Sequence, residues 1–200
     1  TRMSLARIVR EHGGFRGVEH EALCRGVFSM KIWLKDLNES HISSIIEIEQ
    51  LCFRDPWREQ YIRETVMRST VTAKVAEFGK DVVGWVVFEQ LPHGLVQVCT
   101  VGVHPERRRE GIGTFLLFAA IDLLRTKKLS HLMADCRESN TAAHLFLAAN
   151  EFVAVRIIRE FYTDTGEDAF CFDYWEQDRP VNRIAKYLQA QEKKDVGHQG

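Results

Sequence analysis

The chain has 200 residues, and its 45% hydrophobic and 10% aromatic content is enough for one well-packed domain with tails. The formal charge of −1 excludes a chain-wide basic surface, so any positive patch is local and no nucleic-acid partner is expected. Five scattered cysteines without a CxxC pair argue against a disulfide framework or a metal site, and no apolar run is long enough to span a membrane, so we expect a cytoplasmic protein without metal or membrane attachment.

The N-terminal part of the chain divides near Met30. Residues 1–29 combine scattered charges with four glycines and show no clear periodicity, so we interpret them as an N-terminal extension. The alternating segment "MKIWLKDL" that begins at Met30 predicts the first strand of the domain. Asn38 is a typical helix cap, and Pro56 starts a second helix. The predicted apolar face of the first helix comprises Ile42, Ile45, Ile46 and Leu51.

The rest of the chain alternates strands and helices. Three β-branched runs, "VTAKVAEF", "DVVGWVVFEQ" and "GLVQVCTVGV", predict an antiparallel meander, and a long helix begins at Ile112. A strand in "LSHLMADC", a helix in "SNTAAHLFLAAN" and two strands in "EFVAVRIIREFY" and "DAFCFDYW" follow. This order predicts one α+β domain over residues 30–176, with a mixed sheet and helices on both faces. An amphipathic stretch predicts a C-terminal helix and tail over residues 177–200.

The junction between the meander and the long helix, "VGVHPERRREGIGTFLL", has the properties of an anion site. A helix N-terminus leaves about four N–H groups unpaired and carries roughly half a positive charge. Gly111 and Gly113 remove Cβ atoms there, and the arginines of 107–109 add positive charge. A pyrophosphate is the ligand that we expect at this position. The alternative is a tight turn with a solvated arginine rim.

Two common phosphate motifs do not fit these residues. A P-loop requires a lysine after its last glycine, but Thr114 follows Gly113. A dinucleotide fingerprint requires a third small residue where this chain has Leu116.

A third motif does fit. The pattern V-x-P-x-x-R-x-x-G-x-G at a strand-to-helix junction resembles the acetyl-CoA-binding motif of the Gcn5-related N-acetyltransferase (GNAT) superfamily. Its residues here are Val103, Pro105, Arg108, Gly111 and Gly113. The similarity extends over about Met30 to Trp175. It implies acetyl-CoA as co-substrate and a twisted mixed sheet of about seven strands flanked by about four helices.

Three further segments resemble the RimI-type protein N-terminal acetyltransferases within this superfamily. They are "IEQLCFRDPWREQYI", "DCRESNTAAHLFL" and "REFYTDTGEDAF". This branch implies that the acceptor is a protein or peptide N-terminus, such as that of a ribosomal protein, and that the enzyme is a monomer or homodimer. A small-molecule amine as acceptor, or a non-catalytic acyl-CoA-binding module, remain as alternatives.

The resemblance also implies residues that bind the coenzyme. Backbone groups of 101–103 would pair with the pantetheine arm, the amides of 109–114 would hold the pyrophosphate, and Asn140 would bond to the arm near the thioester. The set is Val101, Gly102, Val103, Arg108, Arg109, Glu110, Gly111, Ile112, Gly113, Thr114 and Asn140. The alternative for Asn140 is a helix cap alone.

The chemical residues depart from the RimI-type pattern. Asp135 occupies the position of a Glu that is proposed as the base, and Leu147 that of a Tyr that is proposed as the acid. We therefore name Asp135, Tyr162 and His144 as candidate catalytic side chains. The alternatives are a strand-end carboxylate for Asp135, an ordinary strand aromatic for Tyr162 and a packing histidine for His144.

The acceptor amine decides how strong a base is needed. At pH 7.4 a protein α-amine is about a quarter neutral, whereas a lysine is neutral roughly once in a thousand. A site with one short carboxylate is therefore better matched to an N-terminal amine than to a lysine.

Overall fold

The computed structural model describes residues 20–25, 29–129 and 131–175, which form eight strands and four α-helices. The strands are β1 (His20–Arg25), β2 (Ser29–Asp36), β3 (Val71–Phe78), β4 (Asp81–Leu91), β5 (Leu95–Val103), β6 (His131–Arg137), β7 (Val153–Tyr162) and β8 (Glu167–Trp175). The helices are α1 (Ile42–Cys52), α2 (Glu59–Val66), α3 (Ile112–Lys127) and α4 (Thr141–Ala149).

The strands form one sheet in the order β1-β2-β3-β4-β5-β6-β8-β7. All neighbouring strands are antiparallel except β5 and β6, which are parallel and are connected by α3. The predicted meander is the run β3-β4-β5, and the predicted closing pair is β7 and β8, with β8 inserted between β6 and β7. The predicted α+β fold, with seven strands and four helices from Met30 onward, is confirmed.

An eighth strand lies within the segment that we interpreted as an extension. β1 pairs antiparallel with β2, with Cys24 opposite Met30, and thereby lengthens the sheet at one edge. The sequence analysis did not predict this strand. Most of residues 1–29 and all of the predicted C-terminal helix lie outside the described residues, so the domain boundaries stay predictions.

The sheet has a front face and a back face, each with its own core. The front face carries Val75, Trp85 and Val87 and packs against α1 and α2. The back face packs against α3 and α4 in the larger core, which includes Val86 and Leu132. Helices thus lie on both faces, as the sequence predicts.

The buried face of helix α1 differs in part from the predicted apolar face. The Asn38 side chain accepts the Ser40 N–H at 3.0 Å and caps the short 3₁₀ turn that leads into α1, as predicted. The buried face of α1 consists of Ile42, Ile45, Ile48 and Glu49. Leu51, which we expected to be buried, is 49% exposed, whereas the carboxylate-bearing Glu49 is 1% exposed. A charged residue therefore occupies the surface of α1 that faces the sheet.

Candidate active site

The sheet opens between its two parallel strands. Pairing of β5 with β6 ends at Val98 and Ala134, although β5 continues to Val103 and β6 to Arg137. Beyond that point β5 stays paired with β4, and β6 stays paired with β8. The inner edges of both strands therefore present backbone groups to a gap rather than to each other. An extended, hydrogen-bonding ligand can occupy this gap as a false strand.

A β-bulge marks the mouth of the gap. Val87 lies opposite Thr100 and Phe88 lies opposite Val98, so Cys99 is the extra residue of β5. A bulge bends its strand and disrupts the ladder locally, which is consistent with β5 leaving β6 at this point. Gly102, two residues beyond Thr100, faces Ile48 and Trp85, and a Cβ there would approach them to 3.1 Å and 3.3 Å. Gly102 therefore allows α1 to pack closely on the strand that borders the gap.

The N-terminus of α3 lies beyond the end of β5, beside the gap. The N-cap Gly111 has φ of +87°, a conformation that favours glycine, and the helix has no side-chain cap. Arg109 also has a positive φ of 70°, so the loop turns sharply before the helix. The amides of Ile112, Gly113 and Thr114 are helical N–H groups without intrahelical acceptors. This geometry agrees with the predicted anion site.

The two glycines of the motif have different physical roles. A Cβ at Gly111 would meet nothing within 4 Å, so its requirement is conformational. A Cβ at Gly113 would lie 3.0 Å from the Phe146 ring of α4, so that glycine also lets α3 and α4 pack together. Substitution at Gly111 therefore reports on the anion site without disturbing the contact between these helices.

The three arginines before Gly111 are not equivalent. Arg107 stacks over Phe78 with 4.5 Å between guanidinium and ring centroid, and its Nε lies 3.2 Å from a Glu110 oxygen. Arg108 donates to the Val103 carbonyl at 3.2 Å. Arg109 is exposed and makes no hydrogen bond to any other described residue. Arg109 is therefore the arginine of this cluster whose side chain is best placed to meet an incoming anion.

Helix α4 begins at the same edge of the sheet as α3. Its N-cap, Asn140, accepts the Ala143 N–H with its side-chain oxygen at 3.0 Å. The cap that the sequence offered as an alternative is thus present. It uses the oxygen of the carboxamide, so the NH₂ group of this exposed residue is not needed for the cap. Both helices that follow the parallel strands therefore begin at the open end of the gap, where ligands bind in sheets of this kind.

Asp135 lies on the front face of β6, at the edge of the gap. Gln97 of β5 donates to its carboxylate at 3.4 Å, across the line where pairing between the strands ends. On the other side of β6, Asp135 lies opposite Cys171 of β8, and Cys171 lies opposite Arg156 of β7. The side chains of one row across antiparallel strands share one face, so these residues lie together. The predicted base thus lies beside the predicted coenzyme slot.

Tyr162 lies on the same face, at the end of β7. The Arg137 guanidinium lies 4.0 Å from its ring centroid. Arg137 in turn donates to Asp164 at 2.9 Å and 3.0 Å and to Glu167 at 3.1 Å, which ties the turn after β7 to the end of β6. Burial raises the pKa of Tyr162 to about 12, so its hydroxyl stays protonated at neutral pH.

His144 and Leu147 lie on the opposite face. The His144 Nε2 donates to the Arg137 carbonyl at 3.1 Å, and its ring packs against Phe170 and Phe172 at centroid distances of 4.9 Å and 5.5 Å. Leu147 is 4% exposed within the back-face core. Asp135 and Tyr162 thus share the front face, with Arg137 on the Tyr162 ring, whereas His144 lies behind the sheet and packs against aromatic rings, as its alternative has it.

A buried carboxylate and an aromatic wall border the site on the side of α1. Glu49 accepts the Trp57 backbone N–H at 2.9 Å and the Thr100 hydroxyl at 3.4 Å. Burial raises the pKa of Glu49, and the indole N–H of Trp85 opposes this shift although its geometry falls short of a hydrogen bond. Trp57 packs edge-on between Trp85 at 5.8 Å and the half-exposed Tyr61 at 4.8 Å. This wall runs from the core to the surface beside the bulge.

The sequence analysis missed several residues that the structure brings to the site. They are Glu49, Gln97, Arg137, Arg156 and Cys171. Arg137 lies two residues after Asp135 on one strand, so alternation alone predicts that both share a face. Gln97 carries a similar signal as a polar residue in an otherwise apolar strand. Among the residues that the structure describes, no cluster of side chains could hold a metal ion, and no helix is long and apolar enough to span a membrane.

Comparisons with known proteins agree with this geometry. The acetyltransferase (GNAT) family matches residues 42–152. A ribosomal protein bS18-alanine N-acetyltransferase from Escherichia coli is 25% identical over 138 residues, which is 68% of this chain and 92% of the relative. The crystal structure of the ribosomal-protein-S18-alanine N-acetyltransferase from Escherichia coli aligns with a TM-score of 0.66 at 21% identity, over 74% of this chain and 96% of that one. Arabidopsis thaliana NAA60 in complex with acetyl-CoA aligns with a TM-score of 0.65 at 16% identity, over 72% of this chain and 99% of that one.

Proposed function

The chain belongs to the acetyltransferase (GNAT) family and is an acetyl-CoA-dependent N-acetyltransferase, and we propose that its acceptor is the α-amine at the N-terminus of a protein. One observation carries this proposal. Among the described residues, α1 and α2 pack on β3, β4 and β5 and leave the front face of β6, β8 and β7 without a helix. An open strand surface beside the gap suits an extended chain, and the bS18-alanine relative supports a ribosomal acceptor. Such an acceptor points to the cytoplasm as the place of the reaction.

The coenzyme fits this chain mainly through main-chain groups. The gap between β5 and β6 accepts the pantetheine arm along 101–103. The amides at the mouth of α3 meet the pyrophosphate, and Arg109 adds charge from the solvent side. Asn140 offers its NH₂ group to the arm. Apart from Arg109 and Asn140, the assignment rests on glycine, strand geometry and helix direction.

The chemistry needs little help from strong acids or bases. The amine nitrogen attacks the thioester carbonyl carbon, the C–S bond breaks, and the amine loses a proton as the thiolate leaves. Asp135, at the edge of the gap, accepts that proton directly or through a water molecule. Because a thiol has a pKa of about 8.5, the thiolate is a good leaving group. The reaction therefore does not require an acidic side chain at the position of Leu147.

The hydroxyl of Tyr162 acts as a hydrogen-bond donor rather than as an acid. Proton transfer from a group whose pKa is about 12 to a thiolate whose conjugate acid has a pKa of about 8.5 is unfavourable by several units. A protonated phenol can still donate to a carbonyl of the bound peptide and hold its amine at the gap. Tyr162 is thus proposed to orient the acceptor.

The proposal is tested by CoA release from acetyl-CoA with three acceptor sets. These are peptides with free N-termini, the same peptides N-blocked and containing lysine, and small amines. We expect turnover with free N-termini alone. Equal or faster turnover with small amines would overturn the acceptor class, although the chain would still be an acetyltransferase.

The role of Asp135 is tested on the best peptide of that panel. We expect Asp135→Asn to lower kcat by about 10²- to 10⁴-fold while leaving the Kd for acetyl-CoA unchanged, because the carboxylate removes a proton but does not hold the coenzyme. Isothermal titration with acetyl-CoA provides the second measurement. A variant that keeps the wild-type kcat would rule Asp135 out as the base.

A further inference from the structure

A row of three polar side chains crosses the front face of the sheet at the level of Asp135. Asp135 of β6 lies opposite Cys171 of β8, which lies opposite Arg156 of β7. Neighbouring strands are about 4.8 Å apart, so the Cα atoms of Asp135 and Arg156 are separated by roughly 10 Å. The long guanidinium side chain can bridge most of that distance. The sequence does not show this row, because β8 is inserted between the other two strands.

The three side chains are connected by one hydrogen bond and one direct cross-strand contact. The Arg156 Nη2 lies 3.8 Å from the Cys171 sulfur and donates to it. Asp135 is the direct cross-strand neighbour of Cys171 on the same face, and the Cβ atoms of such pairs are about 4.5–5.5 Å apart, so the thiol is within reach of the carboxylate. Burial raises the pKa of the Cys171 thiol, so it keeps its proton at neutral pH and can donate to the carboxylate. The bond to Cys171 also raises the pKa of Arg156, which stays positively charged.

We propose that Arg156 and Cys171 act as positioning residues, which orient the Asp135 carboxylate toward the gap through a relay of guanidinium, thiol and carboxylate. The proposal rests on the role of Asp135 given above. Cys171 borders the carboxylate from the side of β8, and Gln97 donates to it at 3.4 Å from the side of β5. A carboxylate held from both sides loses less freedom when the amine arrives.

The relay compensates for a short side chain. Aspartate is one methylene shorter than glutamate and has one fewer rotatable bond. Its carboxylate therefore reaches the amine from fewer orientations, and holding the correct orientation matters more. Cys171 is 3% exposed, and its sulfur is confined by the packing of β8, which makes it a rigid donor. Arg156 polarises that thiol from the solvent side and strengthens its bond to the carboxylate. Neither residue needs to touch the substrate.

The test uses the full chain, acetyl-CoA and the best free-N-terminus peptide. Cys171→Ala removes the donor, and Cys171→Ser keeps a hydroxyl in its place. Arg156→Met removes the charge and donors at similar length. We expect Cys171→Ala to lower kcat about tenfold with little change in acceptor KM, and Cys171→Ser to recover most of that loss. Arg156→Met should have a smaller effect.

The double variant separates a relay from two independent effects. If Arg156 acts through Cys171, then adding Arg156→Met to Cys171→Ala changes kcat no further. Cys136→Ala is the matched control, because Cys136 is a buried cysteine on β6 that lies in the back-face core. Three results would overturn the relay. The losses in kcat of Cys171→Ala and Arg156→Met could add in the double variant, Cys171→Ser could be as slow as Cys171→Ala, or the control Cys136→Ala could be as slow as Cys171→Ala.

A spectroscopic measurement tests the relay without activity. The S–H stretch of Cys171 is identified in the infrared difference between the wild type and Cys171→Ser. We expect Asp135→Ala to shift this band to higher frequency, because the thiol loses its acceptor. An unshifted band would overturn the relay whatever the acceptor is. The kinetic results separate the two proposals. If Asp135→Asn lowers kcat but Cys171→Ala keeps the wild-type kcat, only the relay is overturned. If Asp135→Asn keeps the wild-type kcat, the role of Asp135 as the base is overturned.

Discussion

The two halves of the site are built in different ways. The proposed coenzyme half consists of the β5–β6 gap and the mouth of α3, which offer main-chain groups, a glycine with positive φ and a helix N-terminus. The proposed acceptor half consists of the front face of β6, β8 and β7, which offers the side chains of Asp135, Arg137 and Tyr162. The first half tolerates most substitutions that keep its backbone. The second depends on each side chain and on the partners that hold it.

This difference explains how the chain departs from its relatives. The coenzyme half keeps the full V-x-P-x-x-R-x-x-G-x-G pattern, whereas the acceptor half has Asp135 in place of the Glu of the RimI-type pattern. Leu147, which replaces the Tyr of that pattern, lies behind the sheet in the back-face core. Main-chain recognition of a common co-substrate is independent of the acceptor. Side-chain recognition changes with it. Variants in the two halves should therefore affect different kinetic quantities.

The largest effect is expected from a charge at the mouth of α3. Gly111→Asp places a carboxylate where the pyrophosphate binds. Two like charges about 4 Å apart near a protein surface repel by about 4 kcal/mol, which corresponds to roughly 1000-fold in Kd for acetyl-CoA. Isothermal titration measures this loss.

The matched control for that variant is Gly111→Asn. It has the same shape and the same backbone strain at a φ of +87° but no charge, and asparagine tolerates this conformation. We expect it to lose much less affinity than the aspartate variant. Equal losses would mean that the backbone conformation, rather than the anion site, controls binding, and normal affinity in both would contradict the pyrophosphate assignment.

The acceptor half should respond in kcat and acceptor KM rather than in coenzyme binding. We expect Tyr162→Phe to lower kcat/KM for the peptide by about 10- to 100-fold while the Kd for acetyl-CoA stays the same, because the ring still packs on Arg137 but the hydroxyl is lost. Steady-state kinetics with varied peptide measures it.

His144→Phe is the control for this second prediction. The ring of His144 packs behind the sheet, so its replacement removes one hydrogen bond to the Arg137 carbonyl and leaves the front face intact. We expect kcat within about twofold of the wild type, with a loss of about 1 kcal/mol in the free energy of unfolding. A large loss of kcat in His144→Phe would mean that the two faces are coupled, and that the front face alone does not define the acceptor half.

Most of the fold could be predicted from sequence because its signals are local. Alternation, helix caps and glycine-bounded turns predicted the seven strands from Met30 onward and four helices, and the glycine motif predicted the strand-to-helix junction at α3, where the anion site stays a prediction. The coenzyme half was accessible for the same reason, since its residues lie close together in one stretch of chain. β1 was missed because residues 20–25 carry a weak pattern next to glycines and charges.

The acceptor half was only partly predictable because it depends on strand order and bulges. Asp135 and Tyr162 were proposed through a resemblance, but the row that links Asp135 to Cys171 and Arg156 requires β8 to lie between β6 and β7. Irregular pairing of β7 near Ala154 and after Ile158 also changes which of its side chains face forward. His144 illustrates the limit, since spacing along α4 does not say on which face of the sheet that helix packs.

Glu49 lies at the boundary between the two halves and gives the smallest expected effect. Burial raises its pKa in the folded protein above the value near 4.5 of the unfolded chain, so the folded state holds the proton more tightly. The stability from this group is therefore present below pH 4.5 and lost as pH rises through the pKa of the folded state. Glu49→Gln removes this dependence, because the amide does not ionise.

We expect the free energy of unfolding of Glu49→Gln, taken relative to the wild type, to be higher at pH 8 than at pH 4.5, as measured by urea denaturation at both values. Glu49→Gln should still accept the Trp57 N–H and preserve the aromatic wall. A stable Glu49→Gln variant that loses turnover at every pH would show that Glu49 itself moves a proton. In that case the acceptor half would include Glu49 on α1 as well as the front face of β6, β8 and β7. The gap would then no longer be the boundary between the two halves.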